Sequence, residues 1–570
     1  MSVNTPLKVV LCWHMHQPNY FDPSTNEYIL PWTYLHAIKD YVDMAAHLEE
    51  VPDAKAVVNF APILLEQLDD YAQQVEAFLR EGKAIQDHLL ASLVNPTLPE
   101  EPEQRIMLVK VCLRANEATI IKRFPCYQRL ADMAKRLVDK PDEWMYVNDQ
   151  YMADIVTWYH LGWMGETVRR RDPRIKALMD KGVGFSLHDR HELMVVISEL
   201  LSGVIDRYRR LAEKGQIELT FTPYAHPIMP LLLDIKSTHE AMPDAPLPLA
   251  ERYPGGEERV EWHIEKGLQT FERYFGFRPQ GCWPSEGAMS MHTLKLLDKH
   301  GIKWAASGES VLRNSLNLKQ TPIALREHQS IHQAYRPAGQ QIACFFRDDG
   351  LSDSIGFKYS NWHADDAVGD FMHHLENIAT ASADKPETVV SIILDGENAW
   401  EYFPENGYYF LSALYQQLSA NPKLQLMTFN ECLKQQPAKQ ELPHIVAGSW
   451  VYGTFSTWIG EQDKNRGWDM LVEAKRMYDK KAASGDLTLE QLQRAEHQLS
   501  ICEGSDWFWW FGDYNPAEAV RDFERLYRLQ LATLYQMLGQ EPPEYLSHAF
   551  THGGGDPAAG GVMRQGQEAR

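Results

Sequence analysis

TVVSIILDGENAW, residues 388–400, is the clearest strand signal in the chain, and it leads directly into acidic side chains. Seven mostly apolar, largely β-branched residues precede Asp395, and a glycine follows it. A continuous apolar run of this length is typical of a strand buried on both faces of a parallel sheet. An acid at the end of such a strand is either a positioned catalytic carboxylate or the N-cap of a following helix. Trp400 and Tyr402 come next, which is unusual for a simple cap.

Similar short runs recur along the chain, and helical patterns lie between most of them. They are LKVVLCW (7–13), AKAVVNF (54–60), VGFSL (183–187), IELTF (217–221), GIKWAAS (301–307) and QIACFF (341–346). Alternation of strand and helix with continuously apolar strands predicts an α/β fold with a parallel sheet covered by helices. Seven strands fit a barrel better than a small open sheet, although periodicity alone does not establish closure.

The chain divides into three predicted parts. Residues 1–436 form the barrel, and the helical stretch around 63–180 is too long for one crossover, so we expect it to be an insertion. Strands stop after residue 436, and a helical C-terminal domain over 437–548 is expected to contribute to the active-site cleft. Its helices begin at Thr488, with Gln491 in capping-box spacing, and at Asn515 followed by proline. The glycine- and alanine-rich tail, 549–570, is expected to be flexible.

Composition limits the partners and the compartment. The 570 residues carry a net charge of −22, which disfavours nucleic acid and anionic lipid as partners. No run of about 18 apolar residues occurs, so no membrane span is expected. Seven scattered cysteines without a CxxC pair indicate free thiols in a reducing compartment. The N-terminal apolar run has no basic region before it and resembles a strand more than a signal peptide, so a cytoplasmic location is predicted. The oligomeric state stays open.

The segment VVLCWHMHQP places His14 and His16 two residues apart at the end of the first strand. Side chains at this spacing face the same side of a strand, and in a barrel this end is the catalytic rim. The pair is either hydrogen-bonded structure, part of a binding site, or a zinc pair. No carboxylate third ligand is evident nearby, so we expect no metal.

The segment GQIELTFTPYAHPIMPLL, residues 215–232, places Glu218 within a strand and His226 in the following loop. If Glu218 faces the barrel interior, it is a buried charge, which is costly unless it has partners. The alternative is a glutamate on the solvent face of the strand.

The segment GCWPSEGAMS, residues 281–290, places Glu286 between Trp283, a proline and small residues. Two carboxylates from different strand ends, with aromatic residues beside both, are the groups that glycoside hydrolysis requires. One carboxylate attacks the anomeric carbon, and the other protonates the leaving oxygen and then activates water. Glu286 and Asp395 are the candidate pair.

The motifs together resemble glycoside hydrolase family 57, in particular its α-amylase and amylopullulanase-like branch. Five of them match in order: HMHQP (14–18), GQIELTFTPYAHPI (215–228), GCWPSE (281–286), LDGENAW (394–400) and GSWVYGTFSTWIGEQDKNRGWDML (448–471). Three further phrases add to the likeness: PWTYLHAIKDYVDM (31–44), RDDGLSDSIGF (347–357) and EGSDWFWWFGD (503–513). The resemblance spans residues 7 to about 540, and five ordered motifs make a chance match improbable.

The resemblance implies a (β/α)7 barrel followed by a helical region, with Glu286 as nucleophile and Asp395 as general acid/base. It implies substrate contacts at His14, His16, Glu218, His226, Trp450 and Trp458. Further candidate substrate-binding residues are Trp283, Arg347, Asp353, Trp400 and Asp506, and either Arg347 or a histidine of the first motif is expected to support the ionised Glu286. Trp450 and Trp458 are the expected sugar-stacking residues. No cofactor and no metal are expected. The run AASGES, residues 305–310, departs from the family pattern and puts subsite detail there in doubt.

The expected function is retaining hydrolysis of α-1,4 linkages, with α-1,6 linkages as a second class, in maltodextrin, glycogen or starch. The same covalent intermediate would also serve a 4-α-glucanotransferase or a glycogen branching enzyme, which is the first alternative. A zinc-dependent barrel mannosidase or deacetylase using His14 and His16 is the second. A glucan-binding protein with a degenerate site is a third, and the intact pair Glu286 and Asp395 speaks against it.

Overall fold

The computed structural model describes residues 5–327 and 330–555. In this part of the chain, seven parallel strands form the central sheet: β1 Leu7–Met15, β2 Ala56–Phe60, β3 Ile217–Phe221, β4 Gly281–Cys282, β5 Trp304–Ser307, β6 Ala343–Phe346 and β7 Val389–Asp395. Their order is β7-β1-β2-β3-β4-β5-β6. An isolated parallel bridge between Arg347 and Ser391 joins the end of β6 to β7. The predicted (β/α)7 fold is therefore confirmed.

Strand β1 illustrates how the sequence builds the two layers. Val9, Leu11 and Trp13 belong to the large core between the sheet and its helices, whereas Val10 and Cys12 belong to the cluster inside the barrel. This alternation follows from the two-residue repeat of a strand. It also aims His14 toward the barrel axis, where it lies in register with Asp395 on β7.

One predicted strand is wrong, and one strand was missed. Residues 183–187 form no strand, because Ser186 and Asp189 make a capping box that begins the helix Leu187–Glu213. Gly182 and Gly184 both have φ of +75°, which suits a turn before that helix. The seventh strand is instead β4, whose two residues are too few to give a periodic signal.

Helices fill the connection between β2 and β3, where the insertion was predicted. They are Pro62–Glu81, His88–Val94, Pro102–Val111, Pro125–Leu137, Asp149–Gly162, Glu166–Arg171, Pro173–Lys181 and Leu187–Glu213. Helices that cover the rest of the barrel are Trp32–His36, Val42–Glu50, Met229–Leu233, Thr238–Ala241, Gly256–Phe275, Met291–Lys299, Glu309–Leu316, Ile323–Glu327, Asp349–Asp353, Ala364–Ala381, Tyr408–Ala420 and Phe429–Gln435. Short strands lie at Phe21–Asp22, Glu27–Tyr28, Tyr335–Pro337 and Leu424–Leu426.

The C-terminal region is helical, with Gln462–Ser484, Leu489–Cys502, Asp506–Trp510 and Ala517–Met537. The capping box at Thr488 and Gln491 is confirmed. The last long helix begins one residue later than predicted, because the Asn515 side chain donates back to the carbonyls of Trp509 and Trp510. One short strand, Gln440–Leu442, pairs with Tyr335–Pro337, so strands do not all end at residue 436.

The domain division at residue 436 stays a prediction, as does the flexible tail. Within that tail, Phe550 packs on Phe511 with ring centroids 4.9 Å apart, and Thr551 is buried. Residues 556–570 of the tail lie outside the described residues. All seven cysteines lie in the part of the chain that the structure describes, and none of them is in a disulfide. Among the helices described, none combines the length and the apolar content that crossing a membrane requires.

Candidate active site

A cavity of about 380 Å³ opens at the carboxyl ends of the barrel strands. Three parts of the chain line it. The barrel supplies His14, His16, Gln17, Glu286, Asp395 and Glu397. The connections that follow β1 and β2 supply Trp32, His36, Arg114 and Trp163, and the C-terminal helices supply Asp506, Trp509, Trp510, Glu518, Asp522 and Phe523. Trp450 also lines the cavity. The two predicted catalytic carboxylates therefore lie on the wall of one cavity.

Glu286 sits in a short turn after β4 and has a φ of +56°, a conformation that side chains other than glycine rarely adopt. Its Oε2 accepts a hydrogen bond of 2.9 Å from the indole Nε1 of Trp450. The backbone N–H of Trp450 also donates to the Glu286 carbonyl, at 3.1 Å. Strained backbone held by several contacts is frequent at functional sites. Glu286 is thus fixed at both ends by one tryptophan.

Small residues around Glu286 make room for that tryptophan. A Cβ on Gly308 would lie 2.6 Å from the Cα of Trp450, and one on Gly287 would lie 2.8 Å from the ring of Trp283. Gly308 belongs to the run AASGES, the departure from the family pattern. This run therefore leaves the space that Trp450 occupies. It thereby helps to place the tryptophan that binds Glu286.

Asp395 ends β7, and its Oδ2 accepts a hydrogen bond of 2.9 Å from the Asn398 side chain. Burial raises the pKa of Asp395 above its usual value, and this outweighs the opposing effects of Asn398, His16 and Arg347. A carboxyl group whose proton is held more tightly is suited to act as a general acid. The environment of Asp395 thus fits proton donation.

A second carboxyl group, Glu397, lies two residues farther along. Burial, together with the charge of Asp395, raises the pKa of Glu397 well above its usual value. Gln17 donates to its Oε1 at 2.9 Å, and the Tyr20 hydroxyl in turn donates to the Gln17 side chain at 2.8 Å. Glu397 was not a predicted site residue, although it belongs to the quoted motif LDGENAW.

The histidines form a chain of hydrogen bonds beneath the cavity. His14 Nδ1 donates to Asn59 Oδ1 at 2.6 Å, so its Nε2 is free to accept from His226 Nε2, at 3.1 Å. His226 Nδ1 then accepts from the Ser505 hydroxyl at 2.7 Å. Burial lowers the pKa of His14 to about 3 and that of His226 well below its usual value. Both rings are therefore neutral, which agrees with the direction of each hydrogen bond.

The expectation that His14 and His16 lack a nearby carboxylate is wrong, because Asp506 accepts from His16 Nε2 at 2.9 Å. Ligand atoms of His16, His226 and Asp506 all lie within 4.8 Å of one another, which is close enough for one metal ion. However, the rings of His16 and His226 are stacked, with centroids 3.8 Å apart and planes 12° apart. A metal binds in the plane of each imidazole, and two stacked planes do not converge on one ion. The absence of a metal therefore remains a prediction.

Glu218 is not part of the cavity, contrary to the prediction. It is the second residue of β3 and lies toward the opposite end of the barrel from the catalytic rim. Its carboxylate accepts from Trp304 Nε1 at 2.7 Å and from the Asn430 backbone at 3.0 Å. Burial raises the pKa of Glu218 to about 7. Glu218 is a buried structural acid.

Three predicted tryptophans are core residues. Trp458 is fully buried and packs on Trp509, with ring centroids 5.9 Å apart, so the prediction that it stacks on sugar is wrong. Trp400 is buried and donates to the Gly396 carbonyl at 2.9 Å. Trp283 is buried and meets Trp450 edge to face at 5.6 Å. Trp283 therefore acts behind the wall instead of on it.

Arg347 and Asp353 also lie behind the cavity wall. Arg347 is only 2% exposed, and its guanidinium binds Asp349 at 2.8 Å and Asp353 at 2.6 Å. The guanidinium carbon lies 5.0 Å from the ring centroid of Trp450. The prediction that Arg347 and Asp353 bind substrate is wrong, because other side chains already occupy the guanidinium. His226 likewise contacts His14 and His16 from behind.

Several lining residues were missed by the sequence interpretation. They are aromatic or charged and come from outside the barrel: Trp32, His36, Arg114, Trp163, Trp509, Trp510 and Phe523. Trp509 and Trp510 lie in the quoted phrase EGSDWFWWFGD, whose density of aromatic residues was the available signal. Arg114 bridges two regions, because it binds Asp522 at 2.6 Å and also Glu518.

Comparisons with known proteins give a family and a fold. Among curated proteins, none matches the chain significantly. A branching enzyme from Thermococcus kodakaraensis, in complex with glucose, superposes with a TM-score of 0.54 at 14% identity, over 96% of this chain and 92% of that one. A branching enzyme from Pyrococcus horikoshii gives 0.55 at 15%, over 94% and 98%.

The α-amylase AmyC from Thermotoga maritima gives a TM-score of 0.54 at 14% identity, over 95% of this chain and 96% of that one. At these identities the likeness establishes the fold alone. The sequence itself goes further, because the family model described as Glycosyl hydrolase family 57 matches residues 10–446. This match covers most of the chain and includes both carboxylates of the cavity, and the chain therefore belongs to glycosyl hydrolase family 57.

Proposed function

We propose that the protein is a retaining enzyme that cleaves α-1,4 linkages of α-glucans, with α-1,6 linkages as a second class, and that hydrolysis is its main reaction. Membership of family 57 supports glycoside chemistry. The substrate class is supported by the similar structures, which are described as branching enzymes and an α-amylase. The observation that carries the proposal is that Glu286 and Asp395 line one cavity.

In the first step, the Glu286 carboxylate attacks the anomeric carbon of an α-linked sugar from its opposite face. The glycosidic C–O bond breaks, and the leaving oxygen takes the proton of Asp395. A β-linked glycosyl ester of Glu286 remains. The Trp450 indole N–H donates to Oε2 of this carboxylate and holds it in place for the attack.

In the second step, the Asp395 carboxylate takes a proton from water, whose oxygen attacks the anomeric carbon. The ester bond breaks, the product regains the α configuration, and Glu286 and Asp395 return to their starting states. Because burial raises the pKa of Asp395, this group is well suited to regain and donate the proton in each cycle.

Transfer to a sugar hydroxyl, as in a 4-α-glucanotransferase or a branching enzyme, is the second candidate. The aromatic character of the cavity wall favours it, since Trp32, Trp163, Trp509, Trp510 and Phe523 all line the cavity. An aromatic wall binds the faces of an acceptor sugar and displaces water from them. Both reactions pass through the same ester and differ only in which hydroxyl attacks it.

Incubation with maltoheptaose, followed by chromatography of the products, tests the proposal. Products that are all shorter than the substrate indicate hydrolysis, longer linear products indicate glucan transfer, and new α-1,6 linkages indicate branching. A fluorinated glycosyl fluoride that traps the ester should add mass to the peptide containing Glu286. Absence of that adduct, with normal turnover, would contradict the double displacement; Glu286→Gln is the matched control.

The compartment and the partners remain predictions. A cytoplasmic location is supported by the seven cysteines, all of which lie in the described residues and none of which is paired. The net charge of −22 supports a neutral glucan, not nucleic acid, as the partner.

A further inference from the structure

We propose that Arg347 is a positioning residue for the nucleophile and that it acts through the indole ring of Trp450. It holds that ring and polarises it, which strengthens the hydrogen bond from Trp450 to Glu286. The proposal rests on the proposed function of Glu286 as the nucleophile. Arg347 is a buried cation that does not line the cavity, and this role explains how it would affect catalysis.

The first observation is that Arg347 is immobilised. Its Nε donates to the Ile393 carbonyl at 2.6 Å, its Nη1 to Asp349 at 2.8 Å and its Nη2 to Asp353 at 2.6 Å. These bonds hold the guanidinium from three sides. The guanidinium is not part of the cavity wall, so Arg347 can affect catalysis only by acting on other residues of the site.

The second observation is the alignment of three groups. The guanidinium carbon of Arg347 lies 5.0 Å from the ring centroid of Trp450, and the Nε1 of that ring donates to Glu286 Oε2 at 2.9 Å. A cation near the ring attracts its π electrons, and the interaction is stronger where water is excluded. Loss of electron density makes the indole N–H a better donor. The positive charge of Arg347 therefore reaches the nucleophile through the tryptophan.

The third observation is that the tryptophan cannot turn away. The ring of Trp283 packs edge to face against that of Trp450, with centroids 5.6 Å apart. The backbone of Trp450 also lies so close to Gly308 that no side chain would fit there. Its backbone N–H is bonded to the Glu286 carbonyl at 3.1 Å. A fixed ring keeps the N–H aimed at the carboxylate, which is the requirement for positioning.

Other titratable or charged groups line the same cavity as Glu286, and their effects have to be distinguished from that of Arg347. They are His14, His16, His36, Arg114, Asp395, Glu397, Glu401, Asp506, Glu518 and Asp522. Asp349, Asp353 and Glu309 lie on the side of Arg347. Burial raises the pKa of Asp349 to about 7, so the net charge beside Arg347 becomes more negative above neutral pH. Arg347 also lowers the pKa of Asp395 directly, which gives an effect independent of Trp450.

A double-mutant cycle with Arg347→Gln and Trp450→Phe tests the relay, with kcat/KM on maltoheptaose measured across pH. Arg347→Gln should lower kcat/KM about tenfold. It should also move the acid limb of the pH profile, where activity falls as Glu286 takes up a proton, to higher pH by as much as about one unit. Maltoheptaose KM should change little, since Arg347 touches no sugar. Trp450→Phe should lower kcat/KM by about 10- to 100-fold through loss of the N–H.

In the Trp450→Phe background, Arg347→Gln should no longer move the acid limb, whereas its upward shift of the basic limb should persist. Additive effects of the two substitutions on the acid limb would overturn the relay and leave Arg347 a structural residue. Arg174→Gln is the matched control, because it removes a cation that also binds two carboxylates, Asp172 and Glu199, and that does not line the cavity.

Asp353→Asn keeps the proposal testable if Arg347→Gln fails to fold. It removes a negative charge from Arg347 and should therefore move the acid limb down, opposite to Arg347→Gln. An upward shift would overturn the relay. Trapping of the glycosyl ester on Glu286 in the unmodified enzyme is measured separately. Failure to trap it would contradict the proposed function, whereas trapping with additive double mutants would contradict only the relay.

Discussion

Glu218 and Asp395 are both carboxylic acids on buried barrel strands, yet they lie at opposite ends of the barrel. Glu218 is near the start of β3, where an indole N–H and a backbone N–H satisfy its carboxylate. Asp395 is the last residue of β7, where Asn398 donates to it and the cavity begins. Burial raises the pKa of both acids. A raised pKa alone therefore does not distinguish a candidate catalytic acid from a structural one, whereas access to a cavity does.

The same contrast separates two tryptophans of the segment 448–471. Trp450 lines the cavity and binds Glu286, whereas Trp458, eight residues later, is fully buried. In both pairs, the member at the rim is expected to govern activity and the member in the interior to govern stability. The comparison would be wrong if a substitution at the rim mainly lowered stability or one in the interior mainly lowered activity.

The largest expected effect is on activity, from Asp395→Ala. Loss of the proton donor should lower kcat/KM on maltoheptaose by about 10²- to 10⁴-fold. An aryl α-glycoside whose leaving group departs as a stable anion should still form the glycosyl ester at nearly the normal rate. Azide should then restore turnover by displacing the ester and should give the α-glycosyl azide, identified by NMR.

Glu218→Gln is the matched control at the other end of the barrel, and its kcat/KM should stay within a few fold of the parent's. Glu286→Ala with azide should give the opposite anomer, the β-glycosyl azide, because azide then replaces the nucleophile. If the two anomers were exchanged between the mutants, the catalytic roles would be exchanged as well.

Next in size is the loss of stability from Trp458→Ala. Truncation of a fully buried tryptophan should cost about 3–5 kcal/mol of unfolding free energy, measured by urea denaturation. Trp450→Phe should cost less, since it retains an aromatic ring in the same position. A stable Trp458→Ala protein with a higher KM for long glucans would show that Trp458 binds sugar after all.

A smaller effect concerns the pH dependence of stability at Glu218. Burial raises the pKa of Glu218 to about 7 in the folded state, so the folded protein binds this proton more tightly than the unfolded chain. Glu218 therefore contributes stability that is fully present below the unfolded pKa and is lost as pH rises toward 7. The loss is about 3 kcal/mol between pH 4.5 and pH 8.

Glu218→Gln cannot ionise and should lack this dependence, although its amide does not match both hydrogen-bond donors. The informative measurement is the difference in unfolding free energy between parent and variant at several pH values. A difference that stays constant from pH 5 to pH 8 would mean that Glu218 titrates normally in the folded protein.

The smallest expected effect is that of metal removal on activity. Activity should survive prolonged treatment with a strong zinc chelator, because the stacked rings of His16 and His226 do not converge on one ion. Activity that disappears and returns with zinc would require these rings to rotate and would favour the metalloenzyme alternative. Structural calcium elsewhere would not affect this test.

The sequence identifies the rim of the barrel better than it identifies what surrounds it. Asp395 and His14 were predictable because each ends a long apolar strand whose side chains alternate strictly. Glu286 follows a strand of only two residues, so its position came from the motif and not from periodicity. The false strand at 183–187 arose because three apolar residues beside glycines satisfy a strand pattern without a pairing partner.

Tertiary contacts explain the other errors. Nothing in a polar loop sequence indicates that Trp458 is covered by Trp509, about fifty residues later. Likewise, the contact of Asp506 with His16 joins residues 490 positions apart, beyond the reach of any local pattern. Charged residues such as Arg347 gave no sign of whether they would face the sugar or a neighbouring aromatic ring.

The distance along the chain between His16 and Asp506 has a consequence for the nascent protein. Ribosomes add about 5–20 residues per second, so His16 is made roughly 25–100 s before the partner 490 residues away that binds it. Throughout that interval, the barrel lacks the wall that Trp509, Trp510 and Phe523 later provide. Its aromatic and histidine surface then stays open, and the candidate active site is complete only when the last helices dock.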